Sequence, residues 1–230
     1  MRDLKHYELL AAVFDYPGPG HLARVRATRE ALEDRCSLAA SELGEFTRLY
    51  PSAELDGQER AVAELQEIHT RSFDVQSITT LDVGYVAFGD DYKRGEFLVN
   101  LNREHRAVGV DCGSELPDHL PNVLRLMARW QDPELVDEFV HEILVPVLRK
   151  MLGEFGPDRM EQRNALYEKH YKTLIATTAE RATMYRHALA ALLLVVEKDF
   201  KPADEPDVLQ ANDFLRSIRR EMEIDGTTTR

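Results

Sequence analysis

The run from Ala188 to Val196, nine consecutive apolar residues, constrains the fold of this chain more than any other feature. A segment that is apolar all round fits a helix buried at the centre of a bundle rather than one lying on its surface. A bilayer span needs roughly 20 such residues, so this run predicts a core helix and not a membrane anchor. It sits in a longer helical stretch, Met160 to Phe200, which reads as one or two long helices.

The rest of the chain supplies partners for such a helix. Leu4, Tyr7, Leu10 and Phe14 have helical spacing, and Tyr16-Pro17-Gly18-Pro19-Gly20 stops that helix because proline lacks a donor and glycine admits turn dihedrals. His21 to Leu49 reads as one or two helices with a core of Leu22, Val25, Leu32, Leu38, Leu43, Phe46 and Leu49, and Ser52 to Phe73 as a further one. Tyr92 to Ala107 is helical again, and another helix follows Pro117 and ends near Trp130. The clearest begins at Asp132, a good N-cap followed by Pro133, and carries a wide apolar stripe from Leu135 to Met151 with Pro146 as a site for a kink. Lys201 to Asp207 reads as a linker, Val208 to Ile224 as a last helix with heptad-like spacing, and Asp225 to Arg230 as a frayed tail. No strand pattern could make a sheet. The expectation is therefore an all-α, single-domain bundle of about eight or nine helices, with 1–200 as its body and 201–230 packed on it or extending from it.

One stretch breaks the helical regime. Asp74 to Asp91 is rich in Ser, Thr, Gly and Asp, includes the β-branched run Val75 to Thr80, and lacks a 3.6-residue period. It reads as a long loop with room for one extended piece, and loops of this length are usually functional or mobile.

Charge and cysteines narrow the function. Forty-one acidic against 29 basic side chains give a formal charge of −12, which argues against a nucleic-acid partner, since phosphate binding rewards clustered Lys and Arg. From Asp111 to Glu142 eight acids meet two arginines, half of the whole excess, which reads equally as a solvated acidic face or as a surface for a basic partner. Cys36 and Cys112 lack zinc-site spacing and the density of a disulfide scaffold, and fit reduced thiols of a cytoplasmic protein. Neither a signal peptide nor a membrane span is evident.

Enzyme signatures are absent: there is no Gly-rich phosphate loop, GxSxG elbow, HExxH or CxxC. Asp118-His119 could be drawn as an acid and base pair, yet consecutive residues on a helix point about 100° apart. Cys112, Asp118 and His119 match no usual metal ligand set, so no catalytic residue, metal or cofactor is assigned. His141, His170 and His187 fall on helices at apolar-to-polar borders, where structural roles are commoner. Glu115 to His119 reads as a helix start with Pro117 in the first turn and acids near its positive dipole end; that account leaves open why Pro117 and Pro121 bracket Asp118 and His119.

Glu115-Leu116-Pro117-Asp118-His119-Leu120-Pro121 resembles the motif of the NarJ/TorD/DmsD family of redox enzyme maturation chaperones, closest to the NarJ branch. Gly84-Tyr85-Val86-Ala87-Phe88 followed by Asp91-Tyr92-Lys93-Arg94-Gly95 is similar to that family's aromatic segment and arginine-glycine step, so the resemblance spans Leu81 to Trp130. It implies an all-α, cytoplasmic, non-catalytic chaperone without a cofactor of its own. The implied partner is the N-terminal peptide of the catalytic subunit of a DMSO-reductase-family molybdoenzyme, held until bis-molybdopterin guanine dinucleotide is inserted, as in nitrate reductase assembly. Within that reading Glu115, Pro117, Asp118 and His119 organise the peptide-binding loop, Tyr85 and Phe88 supply apolar contact, and Arg94 anchors the loop or an acceptor. The alternative is a small helical enzyme or nucleotide-dependent regulator using Asp118 and His119.

Overall fold

The computed structural model describes residues 2–51, 57–162 and 179–201. Among them the chain is all-α: α1 (His6–Phe14), α2 (His21–Glu33), α3 (Ser37–Arg48), α4 (Gly57–Phe73), α5 (Val83–Phe88), α6 (Tyr92–Ala107), α7 (Leu120–Met127), α8 (Pro133–Phe139), a π-helical turn (Val140–Leu144), α9 (Val145–Glu154), α10 (Ala179–Ala182) and α11 (Met184–Phe200). The expected linker, last helix and tail lie outside the described residues, as do His170 and Ser52 to Asp56.

The apolar run at 188–196 falls inside α11, and Ala188, Leu189, Ala191, Leu192, Val195 and Val196 are buried. α11 packs most extensively on α3 and also meets α9 and α1. Near its start Tyr185 sits fully buried in an aromatic cluster, its ring centroid 5.2 Å from Phe46, 5.4 Å from His69 and 4.9 Å from Phe73. Rings at these separations and steep angles add about 0.5–1.5 kcal/mol per pair beyond the area they bury. That cluster ties α3, α4 and α11 into one core.

Asp132 caps the stripe helix as its sequence predicts, accepting from the Glu134 and Leu135 N–H groups at 2.9 and 3.1 Å. The helix runs on from α8 to α9 without a break. Pro146 cannot donate to the preceding turn, and the chain widens into the π-helical turn just before it, keeping Val140, Ile143 and Leu144 buried. The expected kink at Pro146 is taken up by one wider turn.

Two readings change. Asp74 to Asp91 is not one continuous loop, because Val83–Phe88 forms the short helix α5. Six residues are too few for a periodic signal to emerge, and α5 is held from outside: Lys150 of α9 donates to the Val86 carbonyl at 2.7 Å. Nor does Pro117 begin a helix. α7 starts at Leu120 with His119 as an extended N-cap, and Pro121 is the first-turn proline, which explains why two prolines bracket Asp118 and His119.

The C-terminal end of α1 is closed by side chains from two other helices. The carbonyls of Val13 and Phe14 accept from Nε2 of His21 (3.2 Å) and of His69 (3.3 Å), since Pro17 removes a backbone donor there. With its Nε2 donating, His21 leaves Nδ1 to accept from the Tyr50 hydroxyl at 3.0 Å. Burial pushes both imidazoles down to about 4. The unfolded chain takes up these protons near pH 6.5 and the folded one near 4, so stability is complete above pH 6.5 and falls as pH drops through that window. Each histidine should cost about 2 kcal/mol at pH 5 relative to pH 7. Urea midpoints measured from pH 7.5 to 4.5 should fall with pH, and His69→Gln should make that slope shallower; an unchanged slope would refute the assignment.

Candidate functional site

The stretch before α5 and the stretch before α7 meet as a single antiparallel bridge between Asp82 and His119. The Val83 N–H donates to the Asp118 carbonyl at 2.9 Å, and the Leu120 N–H donates to the Leu81 carbonyl at 2.8 Å. This is the one extended piece within the region expected to be a loop. Asp118 lies in a turn closed by the His119 N–H donating to the Leu116 carbonyl at 3.1 Å, while His119 itself is extended, and the two side chains take different partners.

Asp118 turns inward and is 0% exposed. Its Oδ2 accepts from the Gly84 N–H (3.2 Å) and from Arg94 Nε (3.1 Å). Arg94 reaches the second carboxylate as well, Nη2 donating to Asp82 Oδ2 at 2.9 Å, and its guanidinium lies 5.3 Å from the centroid of the Tyr85 ring. His119 Nδ1 stands 3.4 Å from the other Asp82 oxygen. Four charged or titratable side chains from two chain segments thus form one array, Asp118–Arg94–Asp82–His119.

Burial raises the Asp118 carboxyl above its usual range despite Arg94. Asp82 is held below its usual range, first by the hydrogen bond with His119 and then by Arg94. For Arg94, burial works against the charge, and the bonds to Asp118 and Asp82 more than offset it, leaving its pKa raised. Two neighbouring carboxylates are driven in opposite directions by burial and by pairing.

Gly84 is required by this packing. A β-carbon there would lie 2.7 Å from Asp118 Oδ2 and 2.8 Å from Phe97 Cδ1, too close for either to stay. The loop ahead of the bridge is fastened too. Buried His105 donates from Nε2 to the Pro117 carbonyl at 2.9 Å, and Asn122 Nδ2 donates to the carbonyls of Leu116 (3.1 Å) and Cys112 (3.3 Å).

Of the sequence-predicted site residues, the array unites Asp118, His119 and Arg94, with Tyr85 stacked on it. Glu115 is exposed, Pro117 is half-buried, and Phe88 is partly buried against Phe97 with centroids 5.5 Å apart. Sequence reasoning missed Asp82, Gly84, His105 and Asn122. Only Gly84 left a signal, a glycine inside an otherwise apolar hexapeptide. Among the described residues no His, Cys, Asp and Glu group could hold a metal ion, and no helix is long and apolar enough to cross a membrane. The other two described histidines singled out from sequence have partners of their own, His141 the Asp137 carbonyl within its helix and His187 the carboxylate of Glu42 on α3, both at 2.7 Å.

Comparison of the chain with protein-family models, with curated proteins and with solved structures gives no match in any of the three.

The geometry makes Arg94 the counter-charge for a fully buried carboxylate. Arg94→Leu should lower stability by about 3–5 kcal/mol because Asp118 is left unpaired, and Gly84→Ala by about 1–3 kcal/mol through overpacking. Adding Asp118→Asn to Arg94→Leu should recover part of the loss, since an amide carries no charge to strand. Equilibrium urea unfolding reads all three variants, and an Arg94→Leu protein as stable as the parent would refute the pairing.

Proposed function

We propose that this chain is a cytoplasmic, non-catalytic chaperone that binds the N-terminal segment of the catalytic subunit of a DMSO-reductase-family molybdoenzyme and assists molybdenum cofactor insertion before export or docking. The observation that carries the proposal is the surface around the Arg94 array. Tyr85 and Leu116 stand out of the protein at 43% and 45% exposure, on two segments cross-braced by the bridge and by Arg94. Exposed aromatic and aliphatic side chains on a fixed frame suit an apolar peptide face.

The charge of the region supports the same partner. Over 82–96 and 111–119 seven acidic residues stand against Lys93 and Arg94; Asp82 and Asp118 are the two that Arg94 binds, which leaves five against Lys93. A basic, amphipathic segment would be drawn to such a surface and held on it by its apolar side. Asp118 takes part by setting the frame, and Glu115 and His119 by facing the peptide. The burial of Asp118 and its distance in role from His119 count against the enzyme alternative, because a general acid or base must reach its substrate.

Isothermal calorimetry with N-terminal peptides of such catalytic subunits should give micromolar to submicromolar binding that weakens with salt. Tyr85→Ala and His119→Ala should each weaken it about tenfold with the helical circular dichroism unchanged. Heat from none of these peptides at protein concentrations of tens of micromolar would overturn the proposal.

A further inference from the structure

α6 turns Phe97, Asn100, Leu101 and His105 into the protein, and its opposite face is open. Tyr92 and Val99 there are 74% and 68% exposed, and Gly95 and Arg106 are exposed as well. At 100° per residue these four positions fall within about 60° of one another, on the side away from the buried set. Gly95 has no role within the chain that would explain it. Glycine is among the least favourable residues in a helix interior. Apart from the flanking residues and the helix's own backbone, nothing lies within 4 Å of where a β-carbon at 95 would stand.

We infer that this face of α6 is a self-association surface. Two copies of the chain pack antiparallel along it, with Val99 against Val99 on the two-fold axis and Tyr92 of each copy against Arg106 of the other. The inference does not depend on the function proposed above.

The spacing along the helix carries this arrangement. Tyr92 and Arg106 stand at equal distances from Val99 in the sequence, about two turns or 10 Å to either side. An antiparallel two-fold through Val99 therefore lays one on the other, and a guanidinium over a tyrosine ring is a favourable contact. The charges obey the same symmetry. Asp90, exposed, and Asp91 precede the helix, while Arg106 lies in its last turn. The two-fold sets Arg106 of one copy beside Asp90 of the other and aligns the two helix dipoles head to tail. Gly95 falls opposite Asn102 and Arg103 of the second copy, where the missing side chain lets the backbones approach.

A second copy suits this face because the face is complementary to its own reverse, which is what a two-fold interface requires. Read along α6 it runs from acid and aromatic ring through a small apolar centre to arginine. A parallel pair would set Arg106 on Arg106 and Asp90 on Asp90, and only the antiparallel pair removes both repulsions. α6 is 16 residues long, about 24 Å, which places the contact at the small end of specific interfaces. A dissociation constant on the order of tens of micromolar is the expected strength.

Sedimentation equilibrium of the full chain from about 2 to about 300 µM should show the mass rise from monomer towards dimer. Val99→Lys should keep the chain monomeric throughout with its helical circular dichroism unchanged. Asp90→Arg and Arg106→Asp should each raise the dissociation constant about tenfold. An equimolar mixture of those two variants should associate like the parent, because every opposed pair is again of opposite sign. A photo-cross-linking amino acid at Val99, in a mixture of isotopically light and heavy chains, should join light to heavy within α6. A mass fixed at the monomer, a dimer that persists in Val99→Lys, no recovery in the mixture, or a cross-link confined to one chain or lying outside α6 would each overturn the inference.

Discussion

A buried carboxylate is the constraint around which the candidate site is built. Asp118 is wholly withdrawn from solvent, and an ionised carboxylate in that position is tolerable only with a charge and hydrogen-bond donors at hand. Arg94 and the Gly84 N–H supply them. Each comes from a segment distant in sequence from Asp118, so meeting the electrostatic need of one side chain fixes the backbone of 81–84 against 118–120. The exposed positions of Tyr85 and Leu116 follow from that fixation, and so does the need for a residue without a β-carbon at 84.

How far this was legible in the sequence depends on the range over which each feature is encoded. The Asp132 cap, the buried run at 188–196 and the extent of α6 are local, written in spacings of three and four or in one capping side chain, and they were readable. α5 was not, because six residues give less than two turns of periodicity and its stability comes from Lys150 and Phe97. The role of Pro117 was misread for a related reason. Either proline suited a first turn on local grounds, and what separates them is the turn Leu116–His119, which keeps Pro117 ahead of the helix and sets Asp118 against Arg94, 24 residues earlier. Asp82 carried no sequence signal at all, since nothing within a few residues of it indicates that Arg94 and His119 converge there.

The same principle acts at the C-terminal end of α1. His21 and His69 end that helix by donating to carbonyls that Pro17 leaves open. Each imidazole belongs to a different helix, so capping α1 also positions α2 and α4. Buried polar side chains in this bundle repeatedly do two things together: they satisfy a backbone group and they set the relation between helices. Asn122 and His105 do so for the loop at 112–118, and Lys150 does so for α5. The apolar stripes favour helices packing together, while these directional bonds choose among packings of similar apolar burial.

The array also bears on what kind of work the site can do. The carboxyl whose pKa is raised lies innermost, Arg94 lies between it and the surface, and an aromatic ring covers the guanidinium from outside. Arranged this way the charges hold Tyr85 and the bridge in place; under the proposed peptide-binding reading, a frame already fixed in its binding geometry avoids part of the entropy that ordering on contact would cost.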